Sequence, residues 1–158
     1  MPDPVIETLD PSDPEVCRLL DASDAFYDGL YPPESNHLEA VDDLAGDHVI
    51  FIGCRCEGEL AASGAAKLMH DDGDYAEIKR VFVYEAYRGR GLSRLIMQYL
   101  EDELSKRGVE LVRLETGIRQ PEALGLYRRL GYAEREPFGA YRPDPLSVFM
   151  EKRIGPAT

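Results

Sequence analysis

The spacing of apolar residues changes several times along the chain, and each change marks an element. Val5–Leu9 fits a short first strand, and Asp10–Pro14 breaks it as a turn. Beyond the turn, Val16, Leu19, Leu20, Ser23 and Phe26-Tyr27 keep a helical rhythm. Ser12 or Asp13 can cap that helix, and Pro14 suits its first turn. It stops before Tyr31-Pro32-Pro33, because a residue preceding proline resists helical dihedrals. A second, shorter helix fits within Leu38–Leu44.

The middle of the chain reads as β. Asp47–Cys56, Leu60–His70 and Tyr75–Val83 are rich in apolar and β-forming residues, and the turns Glu57-Gly58-Glu59 and Asp71-Asp72-Gly73-Asp74 separate them. Strands joined so tightly run antiparallel. From Leu92 the period becomes helical, with Leu95, Ile96, Tyr99, Leu100 and Leu104 on one stripe. Lys106-Arg107-Gly108 closes that helix with cations at its negative end and a capping glycine. Leu111–Glu115 is a strand, Pro121–Leu130 a helix followed by Gly131, and Ser147–Lys152 a last strand. The order βααβββαβαβ(β) predicts an α/β (α+β) fold with a mixed, mostly antiparallel central sheet flanked by helices.

The 158 residues suit one domain, 1–158, without internal repeats. Eighteen Lys and Arg against 30 Asp and Glu give a net charge of −12, which repels nucleic acid and anionic membrane surfaces. The longest apolar runs are too short to span a bilayer, and Met1–Asp10 lacks the basic and apolar regions of a secretory signal, so a cytoplasmic protein is expected. Cys17, Cys54 and Cys56 form no disulfide framework. The latter two fall on one strand face and read as buried thiols, and no metal site is expected. His48 and His70 acquire no role, and Asp42-Asp43 and Asp71–Asp74 read as solvated faces.

Chemistry concentrates where the third hairpin strand meets the long helix, at Tyr87-Arg88-Gly89-Arg90-Gly91-Leu92-Ser93-Arg94. A glycine-rich turn opening a helix presents unpaired N–H groups and a positive dipole end to an anion. Three arginines at this spot stand out in an acidic chain. The alternative is a plain tight turn with solvated arginines. A Rossmann site fits worse, because the third glycine is missing and an antiparallel meander precedes the turn.

Arg88-Gly89-Arg90-Gly91-Leu92-Ser93 resembles the Q/R-x-x-G-x-G/A signature of the GCN5-related N-acetyltransferases (GNAT), with Ser93 in the place usually held by glycine or alanine. Glu77–Val83 looks like that family's fourth strand and Leu114-Glu115-Thr116-Gly117 like its fifth. Ala123–Tyr132 is similar to its A-x-x-x-Y-x-x-x-G-F/Y segment. The resemblance covers roughly residues 49 to 152 and implies a GNAT-type sheet and an acetyl-coenzyme A cofactor.

It further implies that the pantetheine arm lies between splayed fourth and fifth strands, along the backbone of Val81, Phe82 and Val83. Arg88, Gly89, Arg90, Gly91, Leu92, Ser93 and Arg94 would then face the pyrophosphate. Val83 N–H is the candidate to stabilise an oxyanion. Tyr127 is the candidate to protonate the departing thiolate, unless it is only a core aromatic on the Ala123–Tyr127–Leu130 face. Glu77 is the candidate base and, by period-two alternation, shares a face with Lys79, Val81 and Val83. Lys79 could instead be its structural ion-pair partner. The resemblance places the acceptor near the segment 27–37, where Tyr27, Tyr31, Glu34 and His37 are candidate substrate-binding residues, the alternative being an ordinary structured loop. Tyr141 and Arg142 before the last strand are candidates for a second wall.

The expected reaction is transfer of an acetyl group to a primary amine of a small molecule or peptide, by direct attack in a ternary complex. The alternative is a non-catalytic acyl-coenzyme A binding or sensing module. Relatives often dimerise through late strands, which makes a homodimer a further expectation.

Overall fold

A computed structural model describes residues 3–35 and 41–155. Ten principal elements follow one another: β1 (Val5–Thr8), α1 (Pro14–Leu30), β2 (Val49–Cys56), β3 (Glu59–Met69), β4 (Tyr75–Val83), α2 (Leu92–Lys106), β5 (Leu111–Gly117), α3 (Pro121–Arg129), β6 (Ala133–Arg135) and β7 (Ser147–Arg153). The seven strands form one sheet in the order β1-β2-β3-β4-β5-β7-β6, antiparallel throughout except where β4 meets β5.

Local chemistry accounts for the helix ends. Asp13 caps α1 by accepting the Glu15 N–H at 2.9 Å, and Pro14 opens the helix with a fixed φ. Tyr31, held extended before Pro32, ends it. The helix expected within Leu38–Leu44 is a 3₁₀ turn over Val41–Leu44, and residues 36–40 lie outside the described residues. The further strand left in parentheses in the expected order was given no residues; β6 supplies it, three exposed or half-buried residues with no alternation to detect.

Helices cover both faces of the sheet. On one face, Val16, Leu19 and Leu20 of α1 pack with Phe51, Ala65 and Phe82. On the other, Ile96, Met97, Leu100 and Leu104 of α2 pack with Ile52, Cys54, Ile78, Val112 and Leu114, and Tyr127 of α3 joins them. Cys54 and Cys56 lie side by side in this second core, where burial pushes the Cys54 thiol up to about 11.

Strand β4 departs from simple alternation. Arg80 adopts a left-handed φ of 55°, and the register with β3 slips opposite it, between Ser63 and Ala65. Ser63 Oγ donates to the Arg80 carbonyl at 3.0 Å, and the Arg80 guanidinium reaches Asp24 of α1 at 2.6 Å. Ala76 and Ile78 face α2 before this bulge, and Val81 and Val83 do so after it, while Phe82 turns to α1. Glu77 and Lys79 therefore do not share a face with Val81 and Val83, contrary to the period-two expectation, because the extra residue reverses the parity of the strand.

Candidate active site

The site begins where β4 and β5 part. They pair only through Ala76–Ile78 and Val112–Leu114, and beyond these residues the strands diverge around a cleft of about 580 Å³. The backbone of β4 addresses this gap. Tyr84 N–H donates to Ala61 of β3 at 3.0 Å, so alternation turns the N–H and C=O of Val83 away from β3 and into the gap. Val81, Phe82 and Val83 all line the cleft.

At the open end of the cleft, a 3₁₀ turn (Glu85–Tyr87) leads through Gly89 (φ 82°) and Gly91 (φ 76°) into α2. Both glycines use left-handed dihedrals, and nothing lies within 4 Å of where a Cβ would sit. No side chain caps α2 and no acid occupies its first turn, so its first N–H groups are available to an anion. These features fit the pyrophosphate of coenzyme A. Arg88, Gly89, Gly91, Leu92, Ser93 and Arg94 line the cleft, whereas Arg90 lies outside the lining with its guanidinium 5.0 Å from the Tyr87 ring centroid. Arg88 is exposed, yet it stacks over Phe26 at 4.7 Å and donates to the Val83 carbonyl at 3.1 Å, which fixes it beside the cleft.

Three tyrosines and a glutamate meet at the divergence. Tyr127, seven residues into α3, is buried edge-on against Tyr132. Burial, then the neighbouring Tyr27 and Glu115, raise its phenol above the ordinary value, and its hydroxyl makes no hydrogen bond among the described residues. Tyr27 and Tyr31 are committed elsewhere. Tyr27 donates to the Val81 carbonyl at 3.0 Å and accepts from Gln120 Nε2 at 3.4 Å, and Tyr31 donates to Gln120 Oε1 at 3.1 Å and accepts from the Arg119 N–H at 3.1 Å. These two expected acceptor contacts therefore line the cleft joined through Gln120.

Glu115 on β5 was not singled out from the sequence. Burial pushes its carboxyl up to about 7; the Ser147 hydroxyl and Lys79 oppose the shift, and Glu77 and Asp144 add to it. The sequence carried little signal for it, since alternation in Leu111–Gly117 puts Glu115 with Arg113 on the face opposite the buried Val112 and Leu114. Gln120 gave none, because its partners are about 90 residues away in sequence.

Glu77 is buried, 3.2 Å from Lys79 Nζ, and it accepts the Tyr141 hydroxyl at 2.5 Å, while Lys79 donates to that same hydroxyl at 2.8 Å. The ion pair foreseen as Glu77's structural alternative is thus present. With Ser35, these three residues border both the cleft and a second cavity of about 900 Å³. Glu34 and the exposed Arg142 line that second cavity, and Ser35 Oγ ties its two flanking loops by donating to Asp144 at 2.6 Å. His37 lies outside the described residues.

The profile of the Acetyltransferase (GNAT) family matches residues 16–132. A relative named IAA acetyltransferase, from Azospirillum brasilense, is 40% identical over 98% of this chain and 100% of its own. A solved Klebsiella pneumoniae structure, named for acyl-CoA N-acyltransferase activity, is 35% identical with a TM-score of 0.77 over 95% of this chain and 97% of its own. The PaiA N-acetyltransferase of Thermoplasma acidophilum, solved in complex with coenzyme A, shares the fold at a TM-score of 0.72 and 16% identity, covering 96% of this chain and 99% of that one. Among the described residues no helix is long and apolar enough to cross a membrane. The splayed strands, the glycine turn before α2 and the family match over most of the chain make it a member of the GNAT acetyltransferases, with acetyl-coenzyme A as its acyl donor.

Proposed function

We propose that the chain transfers an acetyl group to a primary amine of a small molecule or peptide, with donor and acceptor bound together. One juxtaposition carries this reading: a carboxyl raised to about 7 and an uncommitted phenol flank the same cleft just past the β4–β5 seam. When bound, acetyl-coenzyme A supplies an already activated thioester, so no enzyme nucleophile is required. The first N–H groups of α2 hold the pyrophosphate, with Arg88 and Arg94 adding charge. The Val83 N–H faces the gap, where it can donate to the thioester oxygen as charge grows there.

Glu115 accepts the proton of the acceptor ammonium. A carboxyl near 7 is about half ionised at neutral pH, which suits a general base. Glu77 is the weaker base, because Lys79 and Tyr141 already occupy its carboxylate. It instead holds the wall between the cleft and the 900 Å³ cavity, through which the acceptor reaches Glu115. Tyr127 donates the proton that the departing thiolate needs, because Tyr27 and Tyr31 have already committed theirs.

The test is a panel of amines, amino acids, polyamines and short peptides, read as thiol release from acetyl-coenzyme A. Glu115→Gln and Tyr127→Phe are each expected to lower turnover with donor affinity preserved. Full turnover by Glu115→Gln would return the base role to Glu77 or to water.

A further inference from the structure

The Tyr27–Gln120–Tyr31 cluster has no part in the chemistry proposed above, yet it sits on the gap where the acyl group must lie. The seam ends at Ile78 on β4 and Leu114 on β5. Three residues further along each strand come Val81 and Gly117, and the cluster spans from one to the other. Tyr27 holds the Val81 carbonyl, Gln120 joins Tyr27 to Tyr31, and the Tyr31 phenol lies so close over Gly117 that a Cβ there would collide with its hydroxyl. The Gln120 amide orientation is dictated by its neighbours. Tyr27 spends its proton on Val81 and must accept from Nε2, whereas Tyr31 accepts from Arg119 and must donate to Oε1. No member can swing aside without stranding polar groups of the others.

We infer that Tyr27, Gln120 and Tyr31 set the acyl length of the donor, admitting acetyl and excluding longer chains. This rests on the donor lying in the β4–β5 gap. The carbons of the acyl group then fall between this bridge on the α1 side and Tyr127 on the α3 side. Two rings and a carboxamide, tied to Val81 and seated over Gly117, form a wall that an added methylene has to displace.

Binding measurements test this without a known acceptor. Affinities for coenzyme A, acetyl-, propionyl- and butyryl-coenzyme A are measured by calorimetry on the intact chain, on Gln120→Ala and on Tyr31→Phe, with thermal melts confirming that each variant folds. In the unsubstituted chain, butyryl-coenzyme A is expected to bind about tenfold or more weakly than acetyl-coenzyme A. Gln120→Ala narrows that gap to within about threefold while acetyl affinity holds, and Tyr31→Phe, which keeps the ring, narrows it less. Equal or tighter butyryl binding by the unsubstituted chain overturns the inference. So does a Gln120→Ala variant that weakens all four ligands by one common factor, since that is the mark of a purely structural role. If none of the four binds, the donor's seat fails and the inference falls with it.

Discussion

The two ends of the cleft are built in opposite ways. At the α2 end, backbone does the work: left-handed glycines, an uncapped helix start and open space around both turns. At the seam end, side chains do it: Gln120 joins Tyr27 to Tyr31, and Glu77, Lys79 and Tyr141 hold one another in a second group. An end made of backbone tolerates most side-chain changes and fails only when dihedrals are forced. An end made of a side-chain network fails one group at a time, through the group left unpaired.

Substitutions can break or sharpen this contrast. The largest effect is expected at the seam, where Tyr127→Phe lowers turnover about 100- to 10,000-fold while the Kd for acetyl-coenzyme A moves less than about threefold. Stopped-flow turnover beside calorimetry separates the two. An equal loss of affinity would place Tyr127 in binding rather than in proton transfer.

Glu115 should dominate the pH dependence of stability. Its folded-state value, about 7, lies above the ordinary 4.5, so the folded chain holds this proton more tightly than the unfolded one. The resulting stabilisation is complete below about pH 4.5 and is lost as pH rises through about 7. Glu115→Gln cannot ionise, so its stability relative to the unsubstituted chain rises by about 2–3 kcal/mol across that window. Denaturant melts at pH 5 and pH 8 measure it, and a pH-independent difference would contradict the raised carboxyl.

Gly117→Ala drives a methyl into the Tyr31 phenol and is expected to cost about 1–3 kcal/mol, with loss of the Tyr31–Gln120 bond. At the other end, Gly91→Ala meets no atom and pays only for its left-handed dihedral, about 1–2 kcal/mol. If that cost is spread over pyrophosphate affinity as well as folding, coenzyme A binding weakens while the Tyr127 step is untouched. Should Gly91→Ala prove more damaging than Gly117→Ala, the contrast between the two ends would fail.

The same division explains what could be read from the chain alone. Elements with a sustained period, such as Leu92–Leu104, and the glycine turn before them are short-range patterns and were legible. Strand β6 was too short to carry a period, and the described part of the expected second helix, Val41–Leu44, is a 3₁₀ turn. The face of Glu77 was misassigned because Arg80, a residue with no turn preference, takes a left-handed conformation. That conformation is held from outside the strand, by Ser63 and by Asp24. Glu115 was not singled out, because its value near 7 comes from burial and then from Ser147, Lys79, Glu77 and Asp144, which only the fold assembles. Gln120 joins partners on α1 that no local pattern connects to it.

The bulge at Arg80 gives strand β4 two reading frames. An odd-numbered position before residue 80 borders the second cavity, and an odd-numbered position after it packs toward α2. A mutant library that varies 77, 79, 81 and 83 as one face would mix two sides of the sheet, the Glu77–Lys79 pair beside the second cavity and the half-buried valines packed toward α2. Changing the phase at residue 80, so that 77 and 79 are varied apart from 81 and 83 and Phe82 is kept with the α1 core, confines the randomised positions to the second cavity and leaves both cores undisturbed.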